Sequence, residues 1–165
     1  MKNQSLQMND CVEKIINDYS KTVYKLAFAQ TRNKSDADDI FQEVFLRYIK
    51  NERLFESKEH EKAWFIRVTI NCCKNLWSSP FKKLINPMEQ DVAVIDIEEE
   101  SLLEEYLYKL PSKYRAVIHL FYYEDMSTPQ ISAALKRKEN TVRMQLTRAR
   151  RLLKEYMEGD NFNVR

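Results

Sequence analysis

The chain has 165 residues, 44% hydrophobic and 32% charged, with a formal net charge of +2. That size allows one ordinary domain or two small ones, and that balance excludes a disordered chain. One glycine, Gly159, and four prolines are too few for the turns of an all-β fold or for a glycine-rich phosphate cradle, so helices are expected.

Steps of three and four between Val12, Ile15, Ile16, Tyr19, Val23, Leu26 and Ala27 predict a first amphipathic helix. NKSDADD breaks it. Ser35 is the expected cap of a second helix, with Asp36, Asp38 and Asp39 in its positive first turn. Ile40, Phe41, Val44, Phe45, Tyr48 and Ile49 form its apolar stripe. After NERLFESKEHE a third helix is expected from about Lys62 to about Trp77, with Trp64, Ile70 and Cys73 among its apolar positions. Residues 78–101 carry two prolines, no sustained period and an acidic end, which reads as a linker. The strand-like VAVIDI within it has no second strand to pair with.

Leu102, Leu103, Tyr106, Leu107 and Leu110 form the next stripe. Pro111 suits the first turn of a helix that Val117, Ile118 and Phe121 carry to about Tyr123. Ser127 and Gln130 have capping-box spacing, with Pro129 inside the first turn of a short helix ending near Leu135. The last helix begins near Glu139 or Asn140, and Val142, Leu146, Ala149, Leu153 and Tyr156 step along it by four and three. The expected architecture is all-α: two small helical domains, residues 10–79 and 101–158, joined by a flexible linker over 80–100, with a helix-turn-helix in the second.

No apolar run approaches the ~20 residues of a membrane span, and MKNQSLQMND has no apolar signal core. A cytoplasmic protein without membrane insertion is expected. Cys11 stands alone, Cys72 and Cys73 are adjacent, and His60 and His119 follow no zinc-ligand spacing. Neither disulfides, a metal nor a cofactor is expected. No nucleophile-base arrangement points to an enzyme.

Residues 62–83 hold five basic and no acidic side chains, and residues 136–154 hold eight basic and one acidic. Two basic segments on an otherwise acidic chain suggest a polyanion touched at two places, with solvated helix faces as the alternative. In ISAALKRKENTVRMQLTRAR, residues 131–150, a short helix, a turn and a longer helix would pack Ile131, Ala134, Leu135, Val142 and Leu146 together. Arg143, Gln145, Thr147, Arg148 and Arg150 would then face other ways. The second helix of such a unit can enter the major groove, where arginine's planar fork pairs with guanine or phosphate. Spacing alone leaves a basic helix without a DNA role open.

LPSKYRAVIHLFYYEDMSTPQISAALKRKENTVRMQLTRARRLL resembles the C-terminal, promoter-reading domain of bacterial sigma factors. The likeness runs through Leu110-Pro111, Tyr114-Arg115, Glu124-Asp125, Ser127, Ile131-Ser132, Leu135, Thr141-Val142, Leu146 and Arg148-Ala149-Arg150. SDADDIFQEVFLRYIK resembles the family's polymerase-binding helix, and AWFIRVTINCCKNLW the helix that melts and reads the −10 element. The matches follow the family's order over most of residues 12–157, with no room expected for the extra domains of housekeeping sigma factors. The sequence therefore resembles the compact extracytoplasmic-function (ECF) group of the sigma-70 family.

The resemblance implies a non-enzymatic factor that binds core RNA polymerase and directs promoter-specific initiation as an alternative, stress- or signal-responsive sigma. It places Asp38, Asp39, Gln42 and Glu43 against the clamp helices of the polymerase β′ subunit, with the β flap as a second contact. Arg67, Asn71 and Lys74 would track the −10 element, and the loop at about 53–62 would capture a flipped base. Thr141, Arg143, Met144, Thr147 and Arg148 would contact the −35 element, with Arg137, Lys138 and Arg151 on phosphates. Trp64 and Trp77 could stack on bases, but both fall on apolar stripes, which favours core packing. An anti-sigma protein is the further partner implied, beside promoter DNA. The chain departs from the family at Lys136, where a turn glycine is usual, at Arg137, often apolar, and at Gln145, commonly arginine or serine. A helix-turn-helix regulator, or a polymerase-binding adaptor that does not initiate, is the alternative.

Overall fold

The computed structural model describes residues 2–51, 54–79 and 102–163. The linker over 80–100, with its VAVIDI segment, lies outside them. Every regular element among the described residues is an α-helix. They fall into two units. The first holds α1 (Lys2–Thr31), α2 (Lys34–Lys50) and α3 (Lys58–Ser78); the second holds α4 (Leu102–Lys109), α5 (Ser112–Tyr122), α6 (Thr128–Leu135) and α7 (Glu139–Asn163).

In the first unit each helix gives one stripe to a shared core. Ile15, Tyr19, Val23 and Ala27 come from α1, Ala37, Ile40, Val44 and Phe45 from α2, and Trp64, Phe65, Cys72 and Cys73 from α3. Phe65 sits at the centre, with the rings of Tyr19, Trp64, Tyr48 and Phe45 at 4.5, 5.0, 5.2 and 5.4 Å. A fully buried phenylalanine of this kind is worth about 3–5 kcal/mol against truncation to alanine. Trp64 is buried and Trp77 packs half-buried on the same core, so both indoles take part in packing. The Tyr19 hydroxyl donates to Glu61 Oε1 at 2.8 Å and ties α1 to α3. Burial, then the Glu61 bond, hold this phenol protonated well above its ordinary range. Phe55 stacks on Tyr48 at 6.3 Å and meets His60 edge-on at 5.7 Å, which pins the chain entering α3.

Two helix starts differ from the sequence expectation. Asn33, not Ser35, caps α2: its backbone is extended and its Oδ1 accepts the Asp36 N–H at 3.0 Å. Asp36 alone of the three aspartates then lies in the first turn. The earlier start follows from Arg32, at φ 49°, which ends α1 abruptly. Helix α3 begins at Lys58 rather than near Lys62, because Ser57 accepts the His60 N–H at 3.1 Å and Glu59 and Glu61 suit the positive first turn.

In the second unit Val117, Ile118 and Leu120 of α5 meet Ile131 and Ala134 of α6 and Val142, Leu146 and Ala149 of α7, all buried. Leu135 is half-buried. Pro111 lies just outside α5 as its cap rather than in the first turn, and its carbonyl accepts the Tyr114 and Arg115 N–H groups at 3.0 Å each. The capping box of α6 is complete: Ser127 Oγ accepts the Gln130 N–H at 3.3 Å, and Gln130 Oε1 accepts the Ser127 N–H at 2.9 Å.

Helix α6 stops at Lys136, whose φ of 52° and ψ of 47° are left-handed. Its N–H donates to the Ser132 carbonyl. The Arg137 N–H donates to the same oxygen at 3.1 Å, and the Ser132 hydroxyl donates to the Arg137 carbonyl. A lysine side chain costs about 1 kcal/mol in this conformation, and glycine removes that cost. Lys136→Gly should therefore stabilise the second unit by about 1 kcal/mol, read as a higher midpoint of its transition in thermal or urea unfolding.

Candidate nucleic-acid interface

The core fixes which side chains remain outside. With Ala37, Ile40, Val44 and Phe45 turned inward, α2 presents Asp39, Gln42 and Glu43 as exposed groups and Asp38 as half-buried. Glu43 accepts from Arg47 Nε at 2.7 Å, an exposed i,i+4 pair worth a few tenths of a kcal/mol. Leu46 and Ile49 continue along the helix at 47% and 52% exposure. Ile49 was expected on the buried stripe; here it and Leu46 extend the polar patch with an apolar one.

Helix α3 buries Trp64, Phe65, Ile66, Thr69, Ile70, Cys72 and Cys73. The strip left over carries Asn71 and Lys74, both exposed, and Arg67, half-buried, so one face brings all three together.

Helix α7 buries Val142, Leu146 and Ala149 and exposes Arg143, Met144, Thr147, Arg148 and Arg151; Thr141 is half-buried. Arg143 Nη2 reaches Glu139 Oε1 at 2.6 Å, and the same oxygen accepts from Thr128 Oγ1 at 3.1 Å. Glu139 thus ties the first turn of α6 to the outward arginine of α7. Met144, 46% exposed, is a large apolar group among cations. In the turn, Lys138 is exposed, while Arg137 is half-buried and donates from Nη1 to Gln145 Oε1 at 3.1 Å. Burial holds the Arg137 guanidinium below its ordinary pKa.

Arg150 takes a different part. Its Nε donates to the Tyr122 hydroxyl at 2.8 Å, and its guanidinium lies over the rings of Phe121 and Tyr122 at 5.4 and 5.6 Å. Beside it an apolar groove of about 580 Å³ is lined by Leu103, Leu107, Ile118, Tyr123, Leu153 and Met157. Periodicity did not reveal this groove, because its walls come from three helices. Among the described residues no group of His, Cys, Asp and Glu could hold a metal, and no helix is long and apolar enough to cross a membrane.

The sigma-70 region 2 family model matches residues 15–79, and the model for sigma-70 region 4 matches residues 101–153. The RNA polymerase sigma-E factor of Streptomyces avermitilis is 33% identical over 137 residues, covering 79% of this chain and 75% of the relative. The chain belongs to the sigma-70 family. The sigma factor SigV of Bacillus subtilis is 27% identical over 145 residues, covering 84% of this sigma factor and 86% of that one. A solved sigma factor RpoE, in complex with the anti-sigma factor NepR from Bartonella quintana, shares the fold with a TM-score of 0.68 at 18% identity, over 88% of this chain and 96% of that chain. Together with ECF relatives such as SigW and SigM of Bacillus subtilis, these place it in the ECF group, as an alternative sigma factor directing transcription initiation. It is an initiation factor and not an enzyme.

The seating of Arg150 on α5 makes it a packing residue of region 4. Arg150→Ala should lower the stability of that unit by about 1 kcal/mol, from the lost hydrogen bond and cation–π contact. Thermal unfolding reads this, and Tyr122→Phe should reproduce part of it.

Proposed function

We propose that this sigma factor docks on the β′ clamp of core RNA polymerase through Asp38, Asp39, Gln42 and Glu43, and engages the −10 element through Arg67, Asn71 and Lys74. It anchors at the −35 element through Thr141, Arg143, Met144, Thr147 and Arg148, with Arg137, Lys138 and Arg151 on the DNA backbone. The observation that carries this reading is the strip Arg143, Met144, Thr147 and Arg148, exposed opposite the buried Val142, Leu146 and Ala149. Two outward pairs one turn apart, on a helix braced by its neighbour, suit a major groove, where bidentate arginines read guanine and apolar groups read thymine.

The acidic and amide groups of α2 suit basic residues on a partner helix. The exposed Leu46 and Ile49 add apolar area there. In the second unit the apolar groove beside Arg150 suits the β flap as the second polymerase contact. The domains at 10–79 and 101–158 and the linker at 80–100 divide the work, the linker letting the two domains reach both promoter elements. The solved neighbours include CnrH with the cytosolic domain of CnrY and RpoE with NepR, and they support an anti-sigma protein as a further partner. Polymerase and promoter place this work in the cytoplasm.

Run-off transcription with purified core polymerase on a genomic DNA library tests the reading. Discrete transcripts that need this protein are the expected result; the same output from core alone would overturn it. Arg148→Ala should lower promoter affinity by about 10- to 100-fold and leave core binding intact. Equal loss of both would make the residue structural. Gln42→Ala and Glu43→Ala should each weaken core binding several-fold without lowering the melting temperature, and undiminished affinity in both would remove α2 as the docking face.

A further inference from the structure

Arg137 is fixed more firmly than an exposed phosphate-seeking arginine needs to be. Its N–H donates to the Ser132 carbonyl at 3.1 Å, and its own carbonyl accepts from the Ser132 hydroxyl. This places its side chain half-buried against α7, where Nη1 donates to Gln145 Oε1 at 3.1 Å. Burial pushes its pKa down, with no acidic neighbour holding it up.

A guanidinium keeps its charge at physiological pH, so hydration lost by burial has to be replaced by acceptors, and an anion does this best. Gln145 replaces only part of it, with one neutral oxygen. Guanidinium has donors and no acceptor, so the Gln145 amide turns its oxygen to Arg137 and its NH₂ elsewhere. The pair leaves a surplus of donors: the remaining Arg137 N–H groups and the Gln145 NH₂, against one spare lone pair on Gln145 Oε1. Lys138, next in the chain, is exposed and adds a second cation. Phosphate oxygens accept bidentately from such an arrangement.

We propose that Arg137 and Gln145 form a preset seat for one DNA backbone phosphate beside α7, with Arg137 bonding the phosphate and Gln145 as the positioning residue that holds the guanidinium. The seat rests on the reading of α7 as the −35 helix and adds to it a device that sets the helix's register on the duplex, since backbone contacts position and base contacts specify. It also brings two departures from the family resemblance into contact: an amide at 145, where arginine or serine is common, and a cation in the turn at 137, where an apolar residue is frequent.

The test uses holoenzyme reconstituted from core polymerase and the full chain. A promoter duplex recovered by the run-off selection is titrated from about 50 to 200 mM salt. Arg137→Ala should weaken binding about tenfold and make the slope of log affinity against log salt shallower by about 1. Gln145→Ala should weaken binding several-fold with the slope kept, because the charge remains. In the double variant the Gln145 effect should vanish, since it acts through Arg137. An unchanged slope in Arg137→Ala would overturn the phosphate seat. Additive losses in the double variant would overturn the positioning role, and so would losses that track a lower melting temperature. Arg148→Ala on the same duplex separates the two readings. A loss there alone removes only the seat; no loss in any variant removes the −35 reading of α7 as well.

Discussion

A recognition helix serves its purpose only if the helix before it holds it at a fixed angle, and here Ser132 is the residue on which that angle depends. Its carbonyl accepts the Lys136 and Arg137 N–H groups, and its hydroxyl donates to the Arg137 carbonyl. The carbonyl can be reached twice only because Lys136 is left-handed. Three hydrogen bonds and the packing of Ile131, Ala134 and Val142, all fully buried, offset the backbone cost of about 1 kcal/mol. The Thr128–Glu139–Arg143 chain then ties the first turns of the two helices from the other side. A glycine at 136 would relieve the backbone, but it would leave the other bonds of this turn where they are.

In region 2 burial decides what is left for partners. The ring cluster around Phe65 takes the aromatic groups of all three helices, including Trp64. Helix α3 buries seven residues between Trp64 and Cys73, which leaves Arg67, Asn71 and Lys74 on a narrow strip there. Helix α2 gives four, which leaves room for a broad outer face, acidic toward its start and apolar at Leu46 and Ile49. A narrow polar strip suits a single strand of nucleic acid, and a broad mixed face suits another protein.

The helices, the capping box at Ser127 and Gln130 and the inward stripe of α7 were all legible in the sequence, because each rests on residues three or four apart. The start of α2 was not. Asn33 and Ser35 are both good caps, and the choice between them follows from the positive φ of Arg32, which side-chain type does not reveal. The first turn of α3, Lys58 to Glu61, is polar all round and carries no period. Ile49 fits the α2 stripe by spacing, yet whether it is covered depends on where neighbouring helices run. The contact between Arg150 and Tyr122 spans 28 residues of sequence, and no local pattern announces it. The departures at Lys136, Arg137 and Gln145 were visible as departures; that two of them touch was not.

The ion pairs of α7 sharpen the division of labour among its arginines. Arg143 pairs with Glu139, Arg151 with Glu155 at 3.8 Å, and Lys154 with Glu158 at 3.8 Å, all at i,i+4 and largely exposed. Such pairs are worth a few tenths of a kcal/mol and weaken with salt, so a phosphate or a guanine edge competes with them on favourable terms. In the proposed reading, steadying these long side chains before binding would reduce the entropy lost on engaging the groove. Arg148 has no such pair among the described residues, so in the proposed −35 reading it would meet DNA without an internal competitor. Arg137, lacking a carboxylate but fixed by Ser132 and Gln145, combines the two properties. The basic side chains of this unit are therefore graded, from α7 arginines steadied by weak ion pairs, through Arg148, which has no such pair, to Arg137 in the turn, held in place by a neutral amide.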